Sequence, residues 1–169
     1  SLLFLYGVVI ESEKKIASIV TNYICFNNES VTLTEFLTKY RDITESRGID
    51  CKLSYDIATG LSHMHSRKVL HNDLHPGNVL ISGDDMSNVK AVISDFGLST
   101  TLSSSRTVTI PKSFREKYRH PKAEFLRSHS HIAPEIVENI VANFKSDIYS
   151  FGKTTLAILI GNKNGEEQL

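Results

Sequence analysis

A predominantly apolar run extends from Leu2 to Ile10, and a second β-rich run covers Ile16 to Tyr23. The charged Ser12-Glu13-Lys14-Lys15 between them marks a turn, so the pair reads as a hairpin. After the polar Asn27-Asn28-Glu29-Ser30, the pattern Thr32-x-x-Glu35 stands just before Phe36 and Leu37. This is a capping box, in which hydroxyl and carboxylate each take up an amide that a first helical turn leaves unpaired. It predicts a short helix to about Tyr40. Between roughly Asp50 and Ser66, Leu53, Ile57, Leu61 and Met64 recur at helical spacing and predict a longer helix with one face on a core.

Further on, Val79 to Ile81 and Ala91 to Ile93 are short β-branched runs joined by Ser82-Gly83-Asp84-Asp85-Met86-Ser87-Asn88, a stretch of turn formers. They predict a second hairpin. Periodicity is lost from about Thr100 to Ile132, where Ser, Lys, Arg and His crowd a segment too long for a passive connector; it reads as a functional loop. Pro134 suits a first helical turn and opens a short helix to about Ile140. A last helix is predicted from about Ser146 to Ile160. Its Leu156-Ala157-Ile158-Leu159-Ile160 is apolar on all sides, so the expectation is burial all round, with Gly161 as terminator.

The 169 residues, 40% apolar, suffice for one ordinary soluble globular domain. Lys plus Arg and Asp plus Glu both number 19, so no global field points to nucleic acid, an anionic membrane or acidic partners. Cys25 and Cys51 are too few for a disulfide framework and lack zinc-site spacing, which favours a reducing, cytoplasmic setting. The opening apolar run is too short to span a bilayer and lacks the flanks of a signal peptide. Because the chain enters that run directly from Ser1 rather than from a methionine, the expectation is that further sequence precedes it.

The densest chemistry lies in His71-Asn72-Asp73-Leu74-His75-Pro76-Gly77-Asn78 and in Asp95-Phe96-Gly97 beyond the second hairpin. Asn78 immediately precedes one strand and Asp95 lies just past its antiparallel partner, so both project from the open end of the hairpin. Asp73 shares a loop with Asn78. Two carboxylates and an amide are hard oxygen donors that suit Mg²⁺ bridging phosphates. Phosphoryl transfer needs little more than metal neutralisation, in-line positioning and a group to accept the hydroxyl proton. The plainer reading, that Asp73, Asn78 and Asp95 are turn formers beside strands, stands beside this one.

At this point the chain resembles a eukaryotic protein kinase domain. His71 to Asn78 is similar to the catalytic loop H-R-D-L-x-x-x-N, Asp95-Phe96-Gly97 matches D-F-G, Ala133-Pro134-Glu135 matches A-P-E, and Ser146 to Gly152 resembles the start of the central helix, in the family's order. The resemblance implies an α+β, protein-kinase-like fold that is incomplete: residues 1–26 as a remnant of the small lobe and hinge, residues 27–169 as a partial, mainly helical large lobe. It implies ATP and Mg²⁺ as cofactors and a protein substrate, with serine/threonine favoured over tyrosine. It makes Asp73 the catalytic base, Asn78 and Asp95 the metal ligands, and His75 the counterpart of a lysine that contacts the γ-phosphate. Thr21 becomes the gatekeeper, Asn22-Tyr23-Ile24 the hinge, Leu80 the floor beneath adenine, and Glu35 a ribose contact. His71 and Phe96, with Leu5 as a candidate, would form the apolar column joining the lobes, and Asp147 would hold the catalytic loop from below.

Departures from the family pattern carry their own expectations. Asn72 replaces an arginine that in many kinases clamps an activation-segment phosphate, so weak dependence on such phosphorylation is expected. Ser128 stands near where a threonine usually helps position the base. No G-x-G-x-x-G and no V-A-I-K-like lysine occur in these residues, and Glu135 lacks its usual arginine partner, so this chain alone is expected to be nearly inactive and marginally folded. The basic residues Lys112, Arg115, Lys117, Arg119, Lys122 and Arg127 read as a solvated loop, with Ser103, Ser104, Ser105 and Thr107 as modification candidates. His63 and His65 read as surface or packing residues. Two other functions remain open: a non-catalytic, pseudokinase-like binding module, and a small-molecule phosphotransferase of the aminoglycoside or choline type, which H-x-D-L-H-P-G-N also resembles.

Overall fold

The structure is a computed structural model that describes residues 1–11, 16–46, 48–103, 107–109, 130–139 and 141–160. Strands β1 (Leu5–Glu11) and β2 (Ile16–Thr21) form the first hairpin, antiparallel from Leu5 opposite Thr21 to Glu11 opposite Ile16. Both strands expose large apolar side chains, among them Val8, Val9, Ile10, Ile19 and Val20. The hairpin is therefore held mainly by its own ladder.

Strand β3 (Val31–Thr32) leads into helix α1 (Leu33–Ser46). The capping box forms as the spacing predicts: the Thr32 N–H and hydroxyl donate to Glu35 Oε2 at 2.8 and 2.7 Å, and the Glu35 N–H donates to Thr32 Oγ1 at 3.3 Å. The helix does not stop near Tyr40 but kinks there (φ −124°, ψ 20°) and continues to Ser46. Two tertiary contacts sit at that kink. Tyr40 packs edgewise on Phe26 and at a tilt on Phe36, and the Arg41 guanidinium donates to the carbonyls of Ile158 and Leu159 at the far end of the chain.

Gly48, at φ +66°, turns the chain into helix α2 (Ile49–Ser66). The stripe Leu53, Ile57, Leu61 and Met64 is buried as its period requires. On the same helix a Cβ at Gly60 would lie 2.7 Å from the Ser1 carbonyl oxygen and 3.0 Å from Ile93 Cδ1, so glycine lets the helix sit close against the sheet. Strand β4 (Val69–Leu70) precedes the catalytic-loop sequence, which ends in a single 3₁₀ turn, Pro76–Asn78. Strands β5 (Val79–Ser82) and β6 (Lys90–Ile93) form the predicted second hairpin, Val79 opposite Ile93, and β3 extends it into a three-stranded sheet ordered β3-β5-β6.

β7 (Thr100–Thr101) pairs with β4, and β8 (Val108–Thr109) with β9 (Val141–Ala142). Helix α3 (Pro134–Asn139) begins at the proline. Helix α4 (Phe144–Ile160) starts two residues before expectation, because Asn143 Oδ1 accepts the Lys145 N–H and Ser146 Oγ accepts the Asn143 N–H. The main core joins Phe26, Phe36, α2, the β5–β6 hairpin and Ile158; a second cluster gathers Leu70, Leu98, Leu102, Ile132, Ala133, Ile136 and Ala142.

One expectation about α4 is corrected. Its apolar end is not buried all round: Ile158 is buried, but Leu159 and Ile160 are 51% and 45% exposed, and Ile148 and Tyr149 are also exposed. An unbroken apolar run says that no face is polar; it does not say that every face has a neighbour. Most of the activation-loop sequence, with Ser104, Ser105, Ser128 and the six basic residues, lies outside the described residues. No helix among the described residues is long and apolar enough to cross a membrane.

Candidate active site

The site is built on a buried aspartate. Asp147, in the first turn of α4 and 1% exposed, accepts the backbone N–H of His71 through Oδ2 and that of Asn72 through Oδ1, both at 2.9 Å. His65 Nε2, from the last turn of α2, reaches the same Oδ2 at 2.8 Å. The helix N-terminus favours the negative charge. The catalytic-loop backbone is thereby pinned to two helices, and His65 takes part in that support rather than lying on the surface.

His71 is fully buried. Its Nε2 bonds the Ser94 carbonyl at 3.0 Å and its Nδ1 accepts the Asp73 N–H at 3.3 Å, which assigns the neutral Nε2–H tautomer. Burial lowers its pKa, against the opposing pull of the Ser94 carbonyl and of Asp147, Asp73 and Asp95. The Phe96 ring lies against it, centroids 5.6 Å apart and tilted by 58°. Leu5, by contrast, is exposed on β1.

Asn72 takes a left-handed backbone (φ +68°), which asparagine tolerates better than most residues. Its amide donates to the Leu98 carbonyl at 2.8 Å and to Thr100 Oγ1 at 3.0 Å. The segment after Asp95-Phe96-Gly97 is thus tied to the catalytic loop by an uncharged side chain.

Asn78 Nδ2 donates to the Asp73 carbonyl at 2.8 Å and to Asp73 Oδ2 at 3.2 Å, which fixes the carboxylate and turns the amide oxygen of Asn78 elsewhere. The Asn78 carbonyl accepts both the N–H and the hydroxyl of Ser94, each at 2.9 Å. Asp95 is the next residue, at φ +55°, with Oδ1 accepting the Gly97 N–H at 3.1 Å. Asn78, bonded to Asp73, and Asp95, next to Ser94, therefore stand at the open end of the β5–β6 hairpin. His75, on the same loop, accepts the Gly77 N–H through Nδ1 at 3.1 Å.

Thr21, Asn22, Tyr23, Ile24 and Leu80 line one cleft of about 430 Å³, together with Ser30. Asn22 is anchored there by the residue just before β1, accepting the Phe4 N–H through Oδ1 at 2.8 Å. Glu35 is not brought to this cleft. It lines a separate one with Phe26, Asn27 and Lys39, and its carboxylate is engaged by Thr32, whose amide and hydroxyl hold its pKa below the ordinary value. The polar residues at the first cleft are Thr21, Asn22 and Ser30.

His131 was not singled out by motif. It stands two residues before Ala133-Pro134-Glu135, and its Nε2 lies 3.4 Å from Asp73 Oδ1. Its carbonyl accepts the Ser150 hydroxyl at 2.6 Å, which fastens it to α4. Glu135 in turn accepts the Ser146 hydroxyl at 2.9 Å.

A sheet-rich part followed by a mainly helical part, with Asp73 and Asn78 on one loop and Asp95 on another at the end of one hairpin, is consistent with a protein-kinase-like fold. The protein kinase domain model matches residues 4–168, and the chain belongs to that family. The proto-oncogene serine/threonine-protein kinase mos of Mus musculus is 39% identical over 109 residues, 64% of this chain and 28% of the mouse protein. The transforming protein mos of a myeloproliferative sarcoma virus has the same identity and coverage. The dual specificity protein kinase pyk3 of Dictyostelium discoideum is 34% identical over 110 residues, 65% of this chain and 7% of its own length. The match thus spans little more than a quarter of the mos proteins.

Proposed function

We propose that this chain supplies the catalytic-loop portion of an ATP- and Mg²⁺-dependent protein kinase that phosphorylates serine and threonine hydroxyls of protein substrates. One observation carries the reading: Ser94 docks on the Asn78 carbonyl, so Asn78 and Asp95 flank one end of the hairpin while Asn78 holds Asp73 beside them. Residues 1–26 act as small-lobe remnant and hinge, and residues 27–169 as large lobe. The cleft at Thr21, Asn22, Ile24 and Leu80 receives adenine. The free-thiol Cys25 and Cys51 support a cytoplasmic setting.

The donor set fits magnesium, because Asn78 and Asp95 offer hard oxygens and the Asn78 nitrogen is already spent on Asp73. Bound magnesium neutralises phosphate charge. The chain's own residues do the rest. Asp73 orients the acceptor hydroxyl and takes its proton, His75 faces the phosphate side of the loop, and Asp147 keeps the loop backbone from drifting. The serine/threonine preference is supported by the names of the mos relatives.

The test is transfer of labelled γ-phosphate from ATP to a protein substrate by the full-length protein that contains this chain, with phosphoamino-acid analysis of the product. Asp73→Asn should reduce turnover by about 10²–10⁴-fold, the usual span for a general base, and Asp95→Asn should abolish activity by removing a magnesium ligand. Undiminished transfer by a folded Asp73→Asn protein refutes the assignment. For this chain alone, Mg²⁺-ATP is expected to give no thermal stabilisation; a clear shift would contradict that expectation.

A further inference from the structure

We propose that Asp73, His75 and His131 form a zinc site whose occupation silences the catalytic base. The proposal concerns the same loop as the kinase reading, and its inhibitory consequence rests on that reading; the binding itself does not. One ligand atom from each of the three residues lies within 4.8 Å of the others.

The best-defined edge is the distance of 3.4 Å between Asp73 Oδ1 and His131 Nε2. That is long for a charge-assisted hydrogen bond. It is close to the edge of about 3.3 Å that a tetrahedron with zinc–oxygen and zinc–nitrogen bonds near 2.0 Å requires. The ring centroids of His75 and His131 are 4.7 Å apart, so a side-chain rotation of His75 closes the third edge.

Both fixed ligands are held from outside the site. Asp73 is 1% exposed, with Oδ2 tied to Asn78 Nδ2 at 3.2 Å, which leaves Oδ1 directed at His131. The backbone of His131 is fastened to α4 through the Ser150 hydroxyl. A ligand that moves little on binding loses little conformational freedom. His75 has the larger adjustment to make, since its Nδ1 accepts the Gly77 N–H and metal ligation at either ring nitrogen ends that bond.

Ligand chemistry selects the ion. Two imidazoles and one carboxylate, with a fourth position for water, suit zinc, whereas magnesium prefers an oxygen-only set such as Asn78 with Asp95. The two ions therefore address different side chains, Asp73, His75 and His131 for zinc and Asn78 and Asp95 for magnesium. Zinc on Asp73 Oδ1 takes the lone pair that would receive the acceptor hydroxyl proton, so inhibition should compete with the protein substrate.

The test uses the untagged chain with Co²⁺ as a spectroscopic probe. One equivalent should give visible absorption of tetrahedral intensity, displaced by one equivalent of Zn²⁺. His131→Gln and His75→Gln should each weaken binding at least about tenfold, since loss of an outer-shell partner alone reaches that range. Asp95→Asn should leave the spectrum intact. Melting curves show whether each variant is folded, and having two histidine variants keeps the test decisive if one is not. Absence of saturable cobalt binding, an octahedral spectrum, or binding unchanged in both folded histidine variants overturns the site. If the spectrum behaves as described but the full-length protein transfers no phosphate, the site stands and the kinase reading falls.

Discussion

Replacing Asp147 by asparagine isolates the support beneath the catalytic loop. The aspartate accepts three hydrogen bonds, two from buried backbone amides at 2.9 Å and one from His65 at 2.8 Å. Asparagine retains the shape but has one acceptor oxygen. If its nitrogen replaces Oδ1, the Asn72 amide loses its partner; if it replaces Oδ2, the His71 amide does. A buried donor left unsatisfied costs about 1–3 kcal/mol. Removing the negative charge from the first turn of α4 adds about 0.3–1 kcal/mol. The expected loss is therefore about 1.3–4 kcal/mol, measured by urea unfolding of this chain. Hydrogen exchange should locate it. A local loss of about 2 kcal/mol accelerates exchange of the orphaned amide roughly thirtyfold, at 1.4 kcal/mol per factor of ten. A loss below about 0.5 kcal/mol with unchanged protection at His71 and Asn72 would refute the account, since ordinary surface substitutions stay within that margin.

Three further outcomes follow from the same geometry. His71 is buried neutral with a depressed pKa, so it contributes stability that is fully present above its unfolded value of 6.5 and is lost as pH falls from there towards the folded value. Unfolding free energy of the native chain should fall as pH drops below 6.5, and a His71→Asn variant should show a shallower acid slope below that pH; equal slopes would contradict the burial argument. Thr32→Val should cost about 1 kcal/mol by opening the capping box, and no measurable change in the urea midpoint would show that the box contributes nothing. Because Asn72 ties Leu98 and Thr100 to the catalytic loop without a phosphate, dephosphorylating the full-length protein should change its activity less than about tenfold; a hundredfold change would sink the idea.

What could be read from residues alone depended on how local the cause was. The capping box, the stripe of α2 and the β5–β6 hairpin are decided within a few turns of chain, and the structure has them where the pattern puts them. The family motifs place Asp73, Asn78 and Asp95 at one end of that hairpin because two strands of matched length leave little freedom there. Features set by distant partners were not legible. Helix α1 outlasts Tyr40 because of Phe26 and the end of α4, and the apolar end of α4 stays partly exposed because packing is a property of neighbours. His131 belongs to no spacing with Asp73, 58 residues away, and only its place just before Ala133-Pro134-Glu135 could have drawn notice. Glu35 shows the converse: a residue with a local role strong enough to hold it was also assigned a remote one.

The link between Arg41 and the carbonyls of Ile158 and Leu159 bears on how the protein is made. Those partners are separated by 117 and 118 residues, so the guanidinium is synthesised long before its acceptors leave the ribosome. Until then the second half of α1, beyond the bend, lacks that link to the end of α4. A nascent chain stalled short of Ile158 would present the Arg41 guanidinium without its carbonyl partners, a state that a chaperone or protease can tell apart from the finished fold.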